Sequence, residues 1–375
     1  MISKSYHLSG TALALKRLAG VPEPGPANRT MIAAARRVEG DEVLIAGPGL
    51  MMTVLWAIVE GARVTVWTEN SAEAESLRTT CQFNDIPAPQ IILDAGFEQL
   101  SGLTFDQTLI HVPRGRERQR ELLDLSLAAL REDGRLVFAG ARNEGIKSVL
   151  GETRERFGQA GIVVRKGGYH AGLARRPKGH FEMPDLTFER NAIRVDDIPT
   201  DLWVCPGVFA PGRLDSGTAN LITGMKTLPG TRVLDLGCGT GLAGLAAARR
   251  GAKVVWTDVS ARAVLSTRKT VEANIAIDPE THLCHGASAL DNRTIDTVIT
   301  NPPFHQGHDI SYEVSRLFVR EGDRVLRPGG DIYLVANNFL PYPQWLREHF
   351  IDVTVVREDA RFKVYHGLKS SAVTR

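Results

Sequence analysis

A chain of 375 residues is long enough for two ordinary domains, and its 43% hydrophobic and 23% charged composition is that of a soluble globular protein. No apolar run approaches the roughly 20 residues of a membrane span, and neither a membrane partner nor a signal peptide is read in the first residues. A net charge of +2 excludes a strongly basic whole-molecule field, and four scattered cysteines without a CxxC pair exclude a zinc or disulfide framework. No metal is therefore expected, and a reducing cytoplasm fits the cysteine usage.

From the amino terminus onward, apolar strands alternate with helical stretches, as in a doubly wound α/β fold. The first half carries "DEVLIAGPG" (Asp41 to Gly49), "GARVTVWTE" (Gly61 to Glu69) and "FDQTLIHVP" (Phe105 to Pro113). Basic residues cluster in "PRGRERQR" (Pro113 to Arg120), at Arg165-Lys166 and in "ARRPKGH" (Ala174 to His180). Arg114, Arg116, Arg118, Arg175 and Arg176 are the candidates for contacts to a polyanion, against the alternative of a salt-bridged helix start and loop charges.

The second half repeats the first. "TRVLDLGCG" answers the first strand, "GAKVVWTDV" the second and "IDTVITNPP" the third, all at one offset of 190 residues, as from Val43 to Val233. Two tandem copies of one α/β domain are expected, 1–180 and 181–375, joined near Pro177 to Pro184. The copies are unequal. Gly237, Gly239 and Gly241 stand against Gly47, Gly49 and Met51, and Asn301-Pro302-Pro303-Phe304 against His111-Val112-Pro113-Arg114. The first copy is therefore read as a scaffold or substrate-binding surface, and the active site is placed in the second.

In the second copy, an apolar strand runs into Gly237-Cys238-Gly239-Thr240-Gly241 and then a helix from about Leu242 to Arg250. Glycines let the backbone approach a ligand at the carboxyl end of the first strand. Asp258, followed by Val259, ends the next strand, placed to accept both ribose hydroxyls of an adenosine cofactor. The spacing is not G-x-G-x-x-G, and Asp235 just before the turn would repel a pyrophosphate but can meet an ammonium. S-adenosylmethionine (AdoMet) is favoured over a nicotinamide dinucleotide.

The corner "TNPPF" after the fourth strand carries the chemistry. Pro302 biases Asn301 away from helix, and two prolines fix the corner without adding N–H donors. The Asn301 side-chain oxygen and the Pro302 carbonyl can then accept both hydrogens of a planar amino group. Phe304 offers a face for a flipped-out base, and His305 is a loop-shaping or RNA-contacting residue in preference to a general base.

This half resembles the class I AdoMet-dependent methyltransferases, a Rossmann-like, seven-stranded fold. That fold usually places a polar side chain on the adenine after the third strand. Here "CHGASALD" leaves Ser288, Asp291 or backbone for the task. More narrowly, "NPPFHQG", "VANNFLPYPQWLREHF", "RFKVYHG" and "LWVCPGVFAPGRLDSGTANLI" are similar to the tandem-domain ribosomal RNA guanine-N2-methyltransferases. The resemblance implies a degenerate first domain, an active second one and a ribosomal RNA or subunit partner, with the small subunit preferred over the large. An adenine-N6 or glutamine-amide methyltransferase would share only the clamp. The resemblance also brings Phe209 and Asp215 near the cofactor. A monomer is expected.

Overall fold

The computed structural model describes residues 1–35, 37–210, 212–303 and 308–371. The chain divides into two compact units, Met1–Leu186 and Thr187–Arg375.

In the first unit, β1 (Ile2–Leu8) and β2 (Thr11–Arg17) form a hairpin ahead of α1 (Pro26–Ala35). Then follow β3 (Glu42–Ala46), α2 (Met51–Val59), β4 (Arg63–Thr68), α3 (Ser71–Phe83), β5 (Gln90–Leu93) and β6 (Phe105–His111). The unit closes with α4 (Arg116–Ala129), β7 (Leu130–Ala141), α5 (Ile146–Phe157), β8 (Ala160–Lys166) and β9 (Tyr169–Arg175). Seven strands make one sheet in the order β5-β4-β3-β6-β7-β9-β8, parallel except for β9, which runs antiparallel to both of its neighbours.

The second unit repeats this plan. A hairpin of β10 (Glu189–Val195) and β11 (Ile198–Val204) precedes α6 (Ser216–Gly224), β12 (Arg232–Leu236), α7 (Leu242–Arg249), β13 (Lys253–Asp258) and α8 (Ala261–Asn274). Beyond these lie β14 (Glu280–Leu283), β15 (Ile295–Thr300), α9 (His308–Val325), β16 (Leu326–Asn337), α10 (Tyr342–Arg347), β17 (Ile351–Glu358) and β18 (Phe362–Leu368). The sheet order is β14-β13-β12-β15-β16-β18-β17, and the expected closing antiparallel pair is present with β18 inserted between β16 and β17. Two tandem methyltransferase-type α/β sheets are thus what the sequence folds into.

The strand texts explain the layers. Val43 to Ala46 and Val233 to Leu236 are buried continuously, as parallel strands covered on both faces must be. In both sheets the strand order reverses between the first and fourth parallel strands, β3 and β6 or β12 and β15. That reversal opens a crevice at the strands' carboxyl ends, the usual place for a ligand.

The two hairpins were not legible in the sequence, and each is fastened to its unit in the same way. On α3 and at its carboxyl cap, Ser76, Thr80 and Asn84 bond β2 and its extension. On α8, Ser266, Thr270 and Asn274 bond β11 and its extension. Spacing of four residues puts all three side chains on one helix face, where they serve as a substitute strand edge. The Thr270 hydroxyl accepts from Trp203 N at 3.1 Å and donates to Trp203 O at 3.1 Å. Replacing Thr270 by Val should strand both groups and cost about 2 kcal/mol, the scale of a lost buried hydrogen-bond pair. An unchanged urea midpoint would contradict this account of the fastening.

Candidate active site

The crevice of the second unit lies between the turn after β12 and the corner after β15. Gly241 has φ +77° and a Cβ there would fall 2.6 Å from Thr267, so packing requires glycine. Gly239, at φ +58°, has nothing within 4 Å of a built Cβ, so the chain faces open space at that point. Gly237 and Thr240 complete the turn, with Gly237 N donating to Thr257 O at 2.9 Å. Cys238 lies 3.3 Å from the Thr267 hydroxyl, and burial, with Asp258 and Asp235 nearby, pushes its thiol well up. A thiol held neutral in this way is no nucleophile.

Asp258 sits at the end of β13. One carboxylate oxygen accepts from Gly239 N at 2.9 Å and the other from Ser260 N at 2.9 Å. Burial pushes its pKa up while the backbone N–H groups of Ser260, Gly239 and Val259 pull it back. Each oxygen keeps further acceptor capacity, so the pair is set to receive two adjacent hydroxyls over the open Gly239. The residues fit a ribose.

Asp235 requires a correction. It is 3% exposed, and its carboxylate accepts from Gly244 N at 2.8 Å in the first turn of α7. Burial, with a smaller push from Asp258, raises its carboxyl to about 7. It anchors the helix from beneath the turn and is not presented to a ligand's ammonium.

Asn301 is held from one side. Its Nδ2 donates to Asp215 Oδ2 at 3.2 Å and to Thr218 Oγ1 at 3.0 Å. The same Oδ2 caps α6, accepting from Gly217 N at 2.9 Å and Thr218 N at 3.2 Å. A carboxylate only accepts, so the Asn301 nitrogen must face it and the oxygen must point the other way. Pro302 is buried and Pro303 exposed. Asp215, expected beside the cofactor, lies at the crevice corner and bonds the Asn301 amide.

The other expected residues are dispersed. Phe209 is exposed on the stretch between β11 and α6, and Ser288 is exposed after β14. Phe304 and His305 lie outside the described residues. Sequence reading missed Thr218, Thr267 and Arg262, whose buried guanidinium donates to Pro206 O at 3.1 Å and steadies the β11–α6 stretch. The usable signal was asymmetry between the copies, since Arg262 answers Ala72 at the common offset.

The first unit's arginines do not form one patch. Arg118 is 7% exposed and paired with Glu69 and Glu121, each at 2.6 Å, so it is unavailable to RNA. Burying a charge demands such partners. Arg176 donates to the carbonyls of Leu127 at 2.8 Å and Gly179 at 2.9 Å, closing the unit's last loop. Arg114 and Arg116 are exposed beside the carboxyl end of β6. Arg175 is also exposed, but β9 pairs it with Arg135 near the opposite end of the sheet.

The corresponding crevice of the first unit is filled by its own side chains. Glu73 accepts from Gly49 N at 2.9 Å and from the Thr68 hydroxyl at 3.0 Å, taking the place that Asp258 holds in the second unit. His111 stands where Asn301 stands, with its ring nitrogen 2.8 Å from the Thr53 hydroxyl. A Cβ on Gly47 would fall 2.0 Å from the His111 carbonyl oxygen, so the two strand ends are in contact. Burial pushes Glu73 up to about 7 and His111 down to about 4, so both lean towards their neutral forms. Asp258→Ala should weaken AdoMet by on the order of 2 kcal/mol, the worth of a charged acceptor for hydroxyls. Calorimetry should count one site per chain; two sites, or unchanged affinity, would contradict this placement.

Residues 200–366 match the methyltransferase small domain family. A ribosomal RNA small subunit methyltransferase C of Hahella chejuensis is 34% identical over 271 residues, 71% of this chain and 78% of that protein. One from Stutzerimonas stutzeri is 31% identical over 339 residues, 88% of this chain and 95% of that protein. A solved T. thermophilus 16S rRNA N2 guanine methyltransferase (RsmC), in complex with AdoMet and guanosine, superposes with a TM-score of 0.83 at 27% identity, covering 98% of each chain. These likenesses agree with the duplicated fold and its crevice: the chain belongs to the ribosomal RNA small subunit methyltransferase C family.

Proposed function

We propose that the chain transfers a methyl group from AdoMet to the exocyclic N2 of a guanine in 16S rRNA, with catalysis in the second unit. The observation that carries the reading is Asn301, whose amide nitrogen is taken by Asp215 and Thr218 so that its oxygen is left for a donor. An amino group on an aromatic base is a poor nucleophile because its lone pair is delocalised into the ring. The Asn301 oxygen and the Pro302 carbonyl accept its two hydrogens, hold it in line and favour a pyramidal nitrogen. Two prolines keep competing N–H donors out of the corner. AdoMet in the crevice supplies a methyl group on a sulfonium, and Asp258 and the Gly237 to Gly241 turn are the residues that hold its nucleoside end. No early base is needed, since the amine becomes acidic only once methylated.

The small-subunit names of the relatives favour 16S over 23S RNA, and the guanosine in the T. thermophilus enzyme favours guanine over adenine. Phe304 is assigned to stacking on the flipped base and His305 to the RNA, with Phe209 and Ser288 on the rim. In the first unit Arg114, Arg116 and Arg175 are assigned to phosphates, and the unit to RNA binding and not to catalysis. The reaction is placed in the cytoplasm, and one chain suffices as a monomer, since both copies of the fold are present in it. Among the described residues no helix is long and apolar enough to cross a membrane, and no group of three His, Cys, Asp or Glu side chains could hold a metal ion.

Asn301→Ala should leave AdoMet affinity intact and slow single-turnover methylation by about 10²–10³-fold, the scale for one oriented transition-state hydrogen bond. Small subunits or 16S rRNA incubated with labelled AdoMet and digested to nucleosides should yield N2-methylguanosine. Label in N6-methyladenosine, or only in protein, would overturn the assignment.

Asp215→Asn separates orientation from folding. Asparagine caps helices as well as aspartate does, but its amide can also donate, so the Asn301 amide is free to turn over. Turnover should fall by about 10- to 100-fold with the melting temperature and AdoMet affinity unchanged. Wild-type turnover would remove Asp215 from the mechanism.

A further inference from the structure

We propose that a cleft at the carboxyl end of β7 in the first unit binds one nucleotide of the RNA substrate, an inference that rests on the rRNA reading above. The cleft has a volume of about 500 Å³ and is lined by Ala141, Arg142, Asn143, Gly167, Gly168 and Tyr169. That volume lies within the roughly 300–1,000 Å³ of small-ligand sites.

Its floor is built from main chain. Ala141 pairs with Tyr169 at the end of the β7–β9 ladder, and Arg142 N donates to Gly168 O at 2.8 Å. Gly167 and Gly168 take φ of +55° and +81°, with nothing within 4 Å of a built Cβ at either, so the turn between β8 and β9 leaves the cleft open. Arg142 and Asn143 are exposed and Tyr169 half-buried, and none of these three side chains makes a hydrogen bond or ion pair with a described residue. One guanidinium, one amide and one phenol ring therefore meet at one opening with their bonding capacity unspent.

The charge around it is positive. Arg165 and Lys166 are exposed on the strand leading into the glycine turn, and the nearby Glu144 is taken by Arg114 at 3.1 Å. Each side chain matches a part of a nucleotide: a guanidinium grips a phosphate through two bonds, a phenol ring stacks on a base, and an amide reads a base edge. An apolar ligand would leave all three unanswered.

The second unit shows why the cleft is found in the first. There the equivalent strand end carries Phe362, paired with Asn337, and Phe362 is 5% exposed. A Cβ on Gly217 in α6 would fall 3.3 Å from its ring, and Arg361 bonds the Ser216 hydroxyl at 3.0 Å, so α6 covers that end. In the first unit the place of the aromatic is taken by the half-open Tyr169. The first unit has closed its cofactor crevice and kept an opening two strands further along the sheet.

The test uses the full chain with Tyr169→Ala, Tyr169→Phe and Arg142→Glu. Binding is read by filter retention of a 16S rRNA transcript at several salt concentrations, and kinetics by methylation of the same RNA. Tyr169→Ala should weaken RNA binding about tenfold, within the range for one stacked base, while Tyr169→Phe, which keeps the ring, should bind as wild type. Arg142→Glu should reduce the log–log salt slope by about one unit, the loss of one phosphate contact. In both weakened variants KM for RNA should rise with kcat and AdoMet affinity unchanged. Wild-type RNA affinity in Tyr169→Ala and Arg142→Glu would overturn the proposal, as would a loss confined to kcat. Displacement of bound RNA by a phosphopeptide but not by a single-stranded RNA oligomer would also overturn it. If the wild-type chain makes no N2-methylguanosine, the functional reading itself fails; if it does and the variants behave as wild type, only the cleft assignment fails.

Discussion

One oxygen of Asp215 organises the second unit. It takes three donors at once: two backbone N–H groups that begin α6 and the Asn301 amide from the end of β15. The first two fix the carboxylate on the helix, and the third transmits that position to the Asn301 side chain at the corner after β15. Because a carboxylate cannot donate, the arrangement also sets the sense of the amide, which a neutral partner such as serine or asparagine would leave free to flip. Gly217 is part of the same constraint, since a Cβ there would come within 2.9 Å of that oxygen and 3.3 Å of the Asn301 nitrogen. The clamp is thus rigid for reasons that lie outside the "NPP" corner.

The first unit shows what becomes of the same crevice when its chemistry is not needed. Its turn still begins with Gly47 and Gly49, but the surrounding polar groups now satisfy one another. Glu73 bonds Gly49 and Thr68, Asn28 bonds the Gly49 carbonyl at 2.8 Å, and His111 bonds Thr53. A buried polar group without a partner costs about 1–3 kcal/mol, so a crevice that binds nothing is best closed by its own side chains. At the common offset Asn28 in α1 answers Thr218 in α6, which accepts from the Asn301 amide at 3.0 Å. The Asn28 amide reaches the turn and Thr218 holds the half-buried Asn301, so one position serves closure in the first unit and orientation in the second.

Much of this was legible in the sequence, for identifiable reasons. The duplicated strands could be read because a parallel strand buried on both faces is a continuous apolar run, and the 190-residue offset kept those runs in step. The positions of Asp258 and the glycine turn could be read because they depend on spacing along a single β-α-β unit. What failed depended on contacts distant in the chain. Asp215 and Asn301 stand 86 positions apart, and only the fold shows that one holds the other. Arg118 looked like a surface charge in a basic run until the fold placed Glu69, from the end of β4, beside it. The hairpins escaped because their offset is 187 residues, as from Lys16 to Trp203, so they fall out of step with the strands that revealed the repeat.

The contrast between what the two copies share and what they do not separates structural demand from chemical demand. Ser76, Thr80 and Asn84 recur as Ser266, Thr270 and Asn274, the same residue types doing the same bonding to a hairpin in each unit. Both units must satisfy the edge of that hairpin, since unpaired backbone groups are costly wherever the fold buries them. Only one unit must present an unspent oxygen at the corner and unspent carboxylate capacity over an open glycine. Where the copies agree the residues maintain the fold, and where they differ in polar residues at the crevice they mark the chemistry. By that criterion the open, unbonded side chains Arg142, Asn143 and Tyr169 are the first unit's own departure from the shared plan, in the half of the chain that has otherwise satisfied its crevice from within.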